Sequence, residues 1–179
     1  MSLKLFAALP IPDSIATRLL PLQSGLEGAA WRPRENLHLT LKYFGETGDR
    51  VAEDLDTELA SISIKPFDIA LRGAGSFGGI DPHAVWIGVE AHPSLFNLAK
   101  ACERAADRAR LKTEKRRYVP HVTMAYLNGA QLDHVKAFER RCALFQTPAF
   151  TVDRFHLYSS LARQNEPNIY RIEAEYPLG

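Results

Sequence analysis

At 179 residues, 46% apolar and 24% charged, the chain has the size and composition of one soluble domain, or of two small lobes sharing a core. Its 22 Lys and Arg against 21 Asp and Glu leave a net charge of +1, which excludes a global basic field of the kind that drives nonspecific nucleic-acid binding. No stretch is long enough to span a bilayer, and the apolar start Lys4–Leu9 is short and broken by Pro10, Pro12 and Asp13 without a small-residue cleavage site. Cys102 and Cys142 form neither a zinc spacing nor a disulfide framework, so we expect reduced thiols, a cytoplasmic protein and no membrane contact.

In chain order, Leu3 to Leu9 reads as a buried strand. Asp13 or Ser14 then caps a helix running to about Leu26, kinked or divided at Pro21. Residues 28–36 form a loop that delivers the chain to a strand from Leu37 to Phe44, closed by Gly45. Val51, Leu55, Leu59 and Ile62 recur at helical spacing, which predicts an amphipathic helix over 49–63. Phe67, Ile69 and Leu71 alternate as a strand. Gly73, Gly75, Gly78 and Gly79 then mark a flexible turn, not a phosphate cradle, because their spacing matches neither Gly-rich nucleotide motif.

A strand over 84–89 and a helix over 93–110 follow, the helix leading into the most basic stretch, 110–117. A strand from His121 to Leu127, a helix over 131–144, and paired strands over 150–159 and 169–175 around a polar loop complete the chain. The element order nearly repeats itself. We therefore expect an α+β fold of two pseudo-symmetric lobes, half-repeats of about 1–79 and 80–179, each an antiparallel-rich sheet backed by helices.

One short stretch carries chemistry. His38-Leu39-Thr40-Leu41 returns as His121-Val122-Thr123-Met124, 83 residues further on (38 to 121). With 8 Thr in 179 residues, two of six His having Thr two positions on is roughly a few per cent likely by composition. On a strand, His and Thr two apart share a face while the apolar neighbours enter a core. Two imidazoles near neutrality can serve as base and acid in hydrolysing a phosphodiester, and two hydroxyls can donate to its nonbridging oxygens. A metal site is the weaker reading, since neither motif has a third ligand on its own face; we expect no metal and no cofactor. Regular alternation would place Lys42 beside His38 and Thr40 as a further phosphate contact. Lys115, Arg116 and Arg117, just before His121, could steer an RNA backbone.

These residues resemble the two-histidine (2H) phosphoesterases, and among them the bacterial RNA 2′,3′-cyclic phosphodiesterases historically called 2′-5′ RNA ligases. The resemblance rests on Trp31-Arg-Pro-Arg-Glu-Asn-Leu-His38-Leu-Thr40-Leu-Lys-Tyr-Phe-Gly45 and on Pro120-His121-Val-Thr123-Met, and extends to Phe155-His-Leu-Tyr-Ser159 and Tyr170. It implies a bilobal α+β fold with the active site in the cleft. RNA ending in a 2′,3′-cyclic phosphate would be opened there to a 2′-phosphate, with the reverse 2′-5′ joining as a second direction. His38 would be the acid, His121 the base, and Thr40 and Thr123 the phosphate ligands.

The same resemblance makes Tyr43 and Tyr126, five residues after each His, the walls that stack the terminal base. Tyr126 stands where the family commonly has arginine, and His83 where it often has arginine, although His83 reads as an exposed loop residue. Strict alternation turns both tyrosines away from the histidine face, so stacking requires a bulge in each strand. Trp31 and Trp86 read as packing anchors, and His92, His134 and His156 as surface or strand residues. The alternatives are a small cyclic nucleotide or ADP-ribose cyclic phosphate as substrate, or an RNA-end binding module without turnover. No obligate protein partner is evident.

Overall fold

The computed structural model describes residues 1–179. Its elements are, in order, Ser2–Pro10 (β1), Asp13–Leu19 (α1), Ala29–Trp31 (β2), His38–Gly48 (β3), Asp49–Ala60 (α2), Phe67–Ile69 (β4), Leu71–Phe77 (β5), Ala84–Val89 (β6), Pro93–Arg108 (α3), His121–Leu127 (β7), Leu132–Arg141 (α4), Phe150–Val152 (β8), Arg154–Arg163 (β9) and Glu166–Pro177 (β10). Pro21 and Asn36 each belong to a short 3-10 turn, Leu20–Leu22 and Arg34–Asn36. Neither Asp13 nor Ser14 caps α1, whose N-cap is Pro12.

β1 is buried along Leu5 to Leu9 because it runs through the middle of an eight-stranded antiparallel sheet, in the order β10-β9-β1-β3-β7-β6-β5. β2 adds to the edge of β7, and β4 with β8 makes a separate two-stranded ribbon. The fold is thus α+β, as expected. The sheet does not divide where the sequence repeat does: β5 pairs with β6, while β9 and β10, from the end of the chain, return to β1. The two sets of strands meet at one backbone pair, Leu39 with Val122.

Leu39, Leu41, Val122 and Met124 sit in one continuous apolar core that reaches from Leu5 to Leu178. Helices α2 and α3 pack on β3, and α4 packs on β5. Lys42 of β3 pairs with Glu103 of α3, and Ser76 of β5 donates to Glu139 of α4. Those contacts put the helices on the face opposite His38 and His121. Burying one face under helices leaves the other open as the floor of a cleft.

Several segments differ from the sequence reading: α1 ends at Leu19, Phe67 and Ile69 belong to β4 but Leu71 to β5, and residues 150–159 divide between β8 and β9, which lie in different sheets. Residues 28–36 contain β2, a strand of three residues, too short to leave an alternation pattern. Gly73 and Gly75 are not in a turn but inside β5. Gly73, at φ +69°, sits where the β5–β6 ladder skips a register step, and a Cβ on Gly75 would come within 2.4 Å of the Trp86 indole, which lies across the strand.

Lys42 is 6% exposed and its Nζ lies 2.9 Å from Glu103, whose other oxygen accepts the backbone N–H of Glu114 at 2.7 Å. Removing the carboxylate strands a buried ammonium, whereas an apolar replacement of the lysine does not. We therefore expect Glu103→Ala to cost about 3 kcal/mol in chemical denaturation and Lys42→Met to lie close to wild type. Equal effects of the two would contradict a desolvated pair.

Candidate active site

Each histidine starts its strand, and its ring is fixed by the carbonyl two residues earlier. His38 Nδ1 lies 2.7 Å from the Asn36 carbonyl, and His121 Nδ1 lies 2.7 Å from the Val119 carbonyl. A carbonyl can only accept, so Nδ1 carries the proton in both rings and Nε2 is left as the basic atom. Asn36 is itself buried and donates to the Asn168 carbonyl at 2.8 Å, tying His38 to the β9–β10 hairpin. Tyr118, two residues before Pro120, donates to the Thr40 carbonyl at 2.7 Å, tying the approach to His121 onto β3.

The Leu39–Val122 pair sets the relation between the motifs. In an antiparallel register it puts His38 across from Thr123 and Thr40 across from His121. The two histidines are then diagonal neighbours, with Cα atoms about 7–8 Å apart. The four residues named from the sequence, His38, Thr40, His121 and Thr123, thus come together on one face, each half-buried.

The bulges that base stacking requires are present. In the β1–β3 ladder Ala8 faces Thr40 but Ala7 faces Lys42, which makes Leu41 an extra residue. In the β6–β7 ladder Trp86 faces Thr123 but Val85 faces Ala125, which makes Met124 one. Both stand three residues after a histidine. Each bulge reverses the alternation, so Lys42 and Ala125 turn to the helix face while Tyr43 and Tyr126 return to the histidine face. Tyr43 is 53% exposed and Tyr126 48%, as surfaces open to a ligand would be. Lys42 is the correction: it does not share the face of His38 and Thr40, and Glu103 already occupies it.

Aromatic rings surround both imidazoles. Phe6, cross-strand from Tyr43, has its ring centroid 5.0 Å from His38 and stacks on Tyr158; Tyr170 meets His38 edge-on at 5.1 Å. On the other side Phe77 meets His121 edge-on at 4.9 Å, and Trp86 lies 5.8 Å away. Trp86 is therefore a wall of the site and not only a packing anchor. Trp31 does pack, against Phe138 of α4. Burial holds the His38 pKa down to about 4 against the opposing Asn36 carbonyl, with the charges of His121 and Arg32 adding to the depression. His121 is lowered as well, chiefly by burial, against the Val119 carbonyl.

Lys115, Arg116 and Arg117 remain on the exposed loop before His121, with Arg116 paired to Glu114 at 3.2 Å. His83 is exposed, its ring 6.4 Å from Phe77 at the rim of the His121 side. His92 caps α3 by accepting from the Ser94 N–H, and buried His156 bridges Tyr158 and Glu175. No three His, Cys, Asp or Glu side chains gather as a metal-ligand cluster. Sequence reasoning gave no role to Arg32. Its backbone follows β2, and its guanidinium lies 5.1 Å from the centroid of the Tyr126 ring. The available signal was its place directly after Trp31, since a tryptophan turned to the helices turns the next residue to the cleft.

Comparison with known proteins places the chain in a family. A family model described as the 2′-5′ RNA ligase superfamily matches residues 11–164. A protein of Aeropyrum pernix named RNA 2′,3′-cyclic phosphodiesterase is 36% identical over 66% of this chain and 65% of its own length. The match thus spans just under two thirds of that relative. One of the same name from Aquifex aeolicus is 30% identical over 83% of this chain and 81% of its own. Escherichia coli LigT, solved with 3′-AMP, superposes with a TM-score of 0.80 over 99% of both chains at 23% identity, a likeness of fold. With the family model spanning residues 11–164 and the Aquifex aeolicus protein 30% identical over most of both chains, the chain belongs to the 2′-5′ RNA ligase superfamily.

Proposed function

We propose that this chain hydrolyses RNA 2′,3′-cyclic phosphate ends to 2′-phosphates by acid–base chemistry between His38 and His121. The observation that carries the reading is the matched pinning of both rings by the carbonyl two residues back, which frees one Nε2 on each side of a single strand pair. A phosphodiester placed between them has a base on one side and, once the other ring is protonated, an acid on the other. His121 Nε2 takes a proton from water as its oxygen attacks phosphorus. The bond from phosphorus to O3′ breaks, and His38 Nε2–H protonates the departing oxygen. Thr40 and Thr123 donate to the nonbridging oxygens.

Tyr43 and Tyr126, exposed on the same face, suit the faces of the terminal base, which aromatic stacking holds with little regard to identity. Relatives bearing the name RNA 2′,3′-cyclic phosphodiesterase support the substrate class. Joining of ends would use the same groups with a 5′-hydroxyl in place of water: its oxygen attacks phosphorus, the bond to O3′ breaks, and His121 and His38 handle the same two protons. No helix is long and apolar enough to cross a membrane, and the buried free thiols of Cys102 and Cys142 fit a reducing cytoplasm.

His38→Ala and His121→Ala should each lower kcat by at least about 10²-fold on an oligonucleotide with a cyclic phosphate end, in buffer containing EDTA. Full turnover in either variant contradicts the mechanism, and tight binding of the end by wild type without product makes the chain a binding module. The pH profile follows from the electrostatics. Activity needs one imidazolium and one imidazole, so kcat/KM falls above the two free-enzyme pKa values as the acid is lost and below them as the base is lost. Both values are lowered in the free cleft, so the bell in kcat/KM should be centred below pH 6.5. A centre above pH 7.5 contradicts this.

A further inference from the structure

We propose that Arg32 is a ligand of the substrate phosphate, its guanidinium braced on the Tyr126 ring and donating to a nonbridging oxygen of the phosphodiester between the histidines. The proposal rests on the hydrolase reading above and adds to it a guanidinium.

Position comes first. β2 pairs with β7 so that Ala30 faces Tyr126 and Trp31 faces Ala125. Trp31 packs on Phe138 behind the sheet, so the next side chain, Arg32, emerges on the cleft face. Its backbone is held there from two sides: its N–H donates to the Met124 carbonyl at 2.8 Å, in the bulge, and its carbonyl accepts from Gln23 at 2.8 Å. The guanidinium rests over Tyr126, the residue that the bulge turns into the cleft.

Pairing comes second. Arg32 Nε is buried yet has no acceptor within the protein. A buried donor without a partner is rare and costly, and the partly exposed side chain that carries it has donors to turn to an acceptor brought by the substrate. None of the protein's ion pairs includes Arg32. The other cations near the motifs are otherwise placed, Lys42 with Glu103, Arg34 with Asp13, and Lys115 to Arg117 on an exposed loop. Charge comes third. The charges that act on His38 are His121 and Arg32, both basic groups, and an anion between them answers all three. A guanidinium matches a phosphodiester in charge and in the fork of its donors.

The test compares wild type with Arg32→Gln and Arg32→Lys on a 2′,3′-cyclic mononucleotide and on an oligonucleotide carrying the same end. Inorganic phosphate serves as inhibitor and as ligand in calorimetry. We expect Arg32→Gln to lower kcat/KM by about 10²-fold on both substrates and to weaken phosphate binding, with Arg32→Lys recovering part of both. Arg32→Gln within threefold of wild type in kcat/KM and phosphate binding overturns the proposal. If Arg32→Gln does not fold, Arg32→Lys decides: parity with wild type overturns it, and a loss of about tenfold supports it. If wild type turns over neither substrate, the hydrolase reading fails by itself, and phosphate binding by wild type against the variants still tests Arg32.

Discussion

The single backbone pair between Leu39 and Val122 is the constraint on which the rest of the site depends. Strands β3 and β7 belong to different sets of strands and share that one ladder pair. Beside it, each motif brings one imidazole and one hydroxyl to the same face and buries its apolar residues on the other. Leu39 and Val122 are fully buried, which keeps the pair from sliding, because a slip by one residue would turn every motif side chain to the wrong face. The two histidines are thus held in place by sheet register, which a buried face specifies strongly.

Outward from that pair, each motif strand breaks its alternation at a matching place. The bulges at Leu41 and Met124 occupy equivalent places, and each does two things. One is to bring a tyrosine back to the cleft. The other is to send the residue before it, Lys42 or Ala125, into the helix layer, where Lys42 meets Glu103. Glu103 in turn holds the backbone of Glu114, on the segment that leads to His121. The support of one histidine therefore runs through the buried ion pair of the other histidine's strand.

Much of this was legible in the sequence, for local reasons. Strands β6 and β7 run over the residues that alternation predicts, and α2 and α3 begin where their apolar spacing begins. The His-Thr repeat named the four central residues because a two-residue spacing on a strand has only one geometric meaning. What stayed hidden was set by distant partners. A bulge is defined by the register of the neighbouring strand, so nothing within 38–44 announces Leu41. Lys42 looked like a cleft residue because its acidic partner is in α3. Gly73 and Gly75 imitated a turn because the indole that needs the space belongs to the next strand. Three-residue β2 was invisible, and with it the role of Arg32.

The central claim is that two halves of the chain act on one phosphate as a unit, and a double-mutant cycle on kcat tests it most directly. Groups that handle the same proton transfers are strongly non-additive. The account predicts that His38→Ala combined with His121→Ala is no slower, within about threefold, than the slower single variant. Losses that multiply, so that the double variant shows the product of the two single effects, would mean that the histidines act independently and would contradict it.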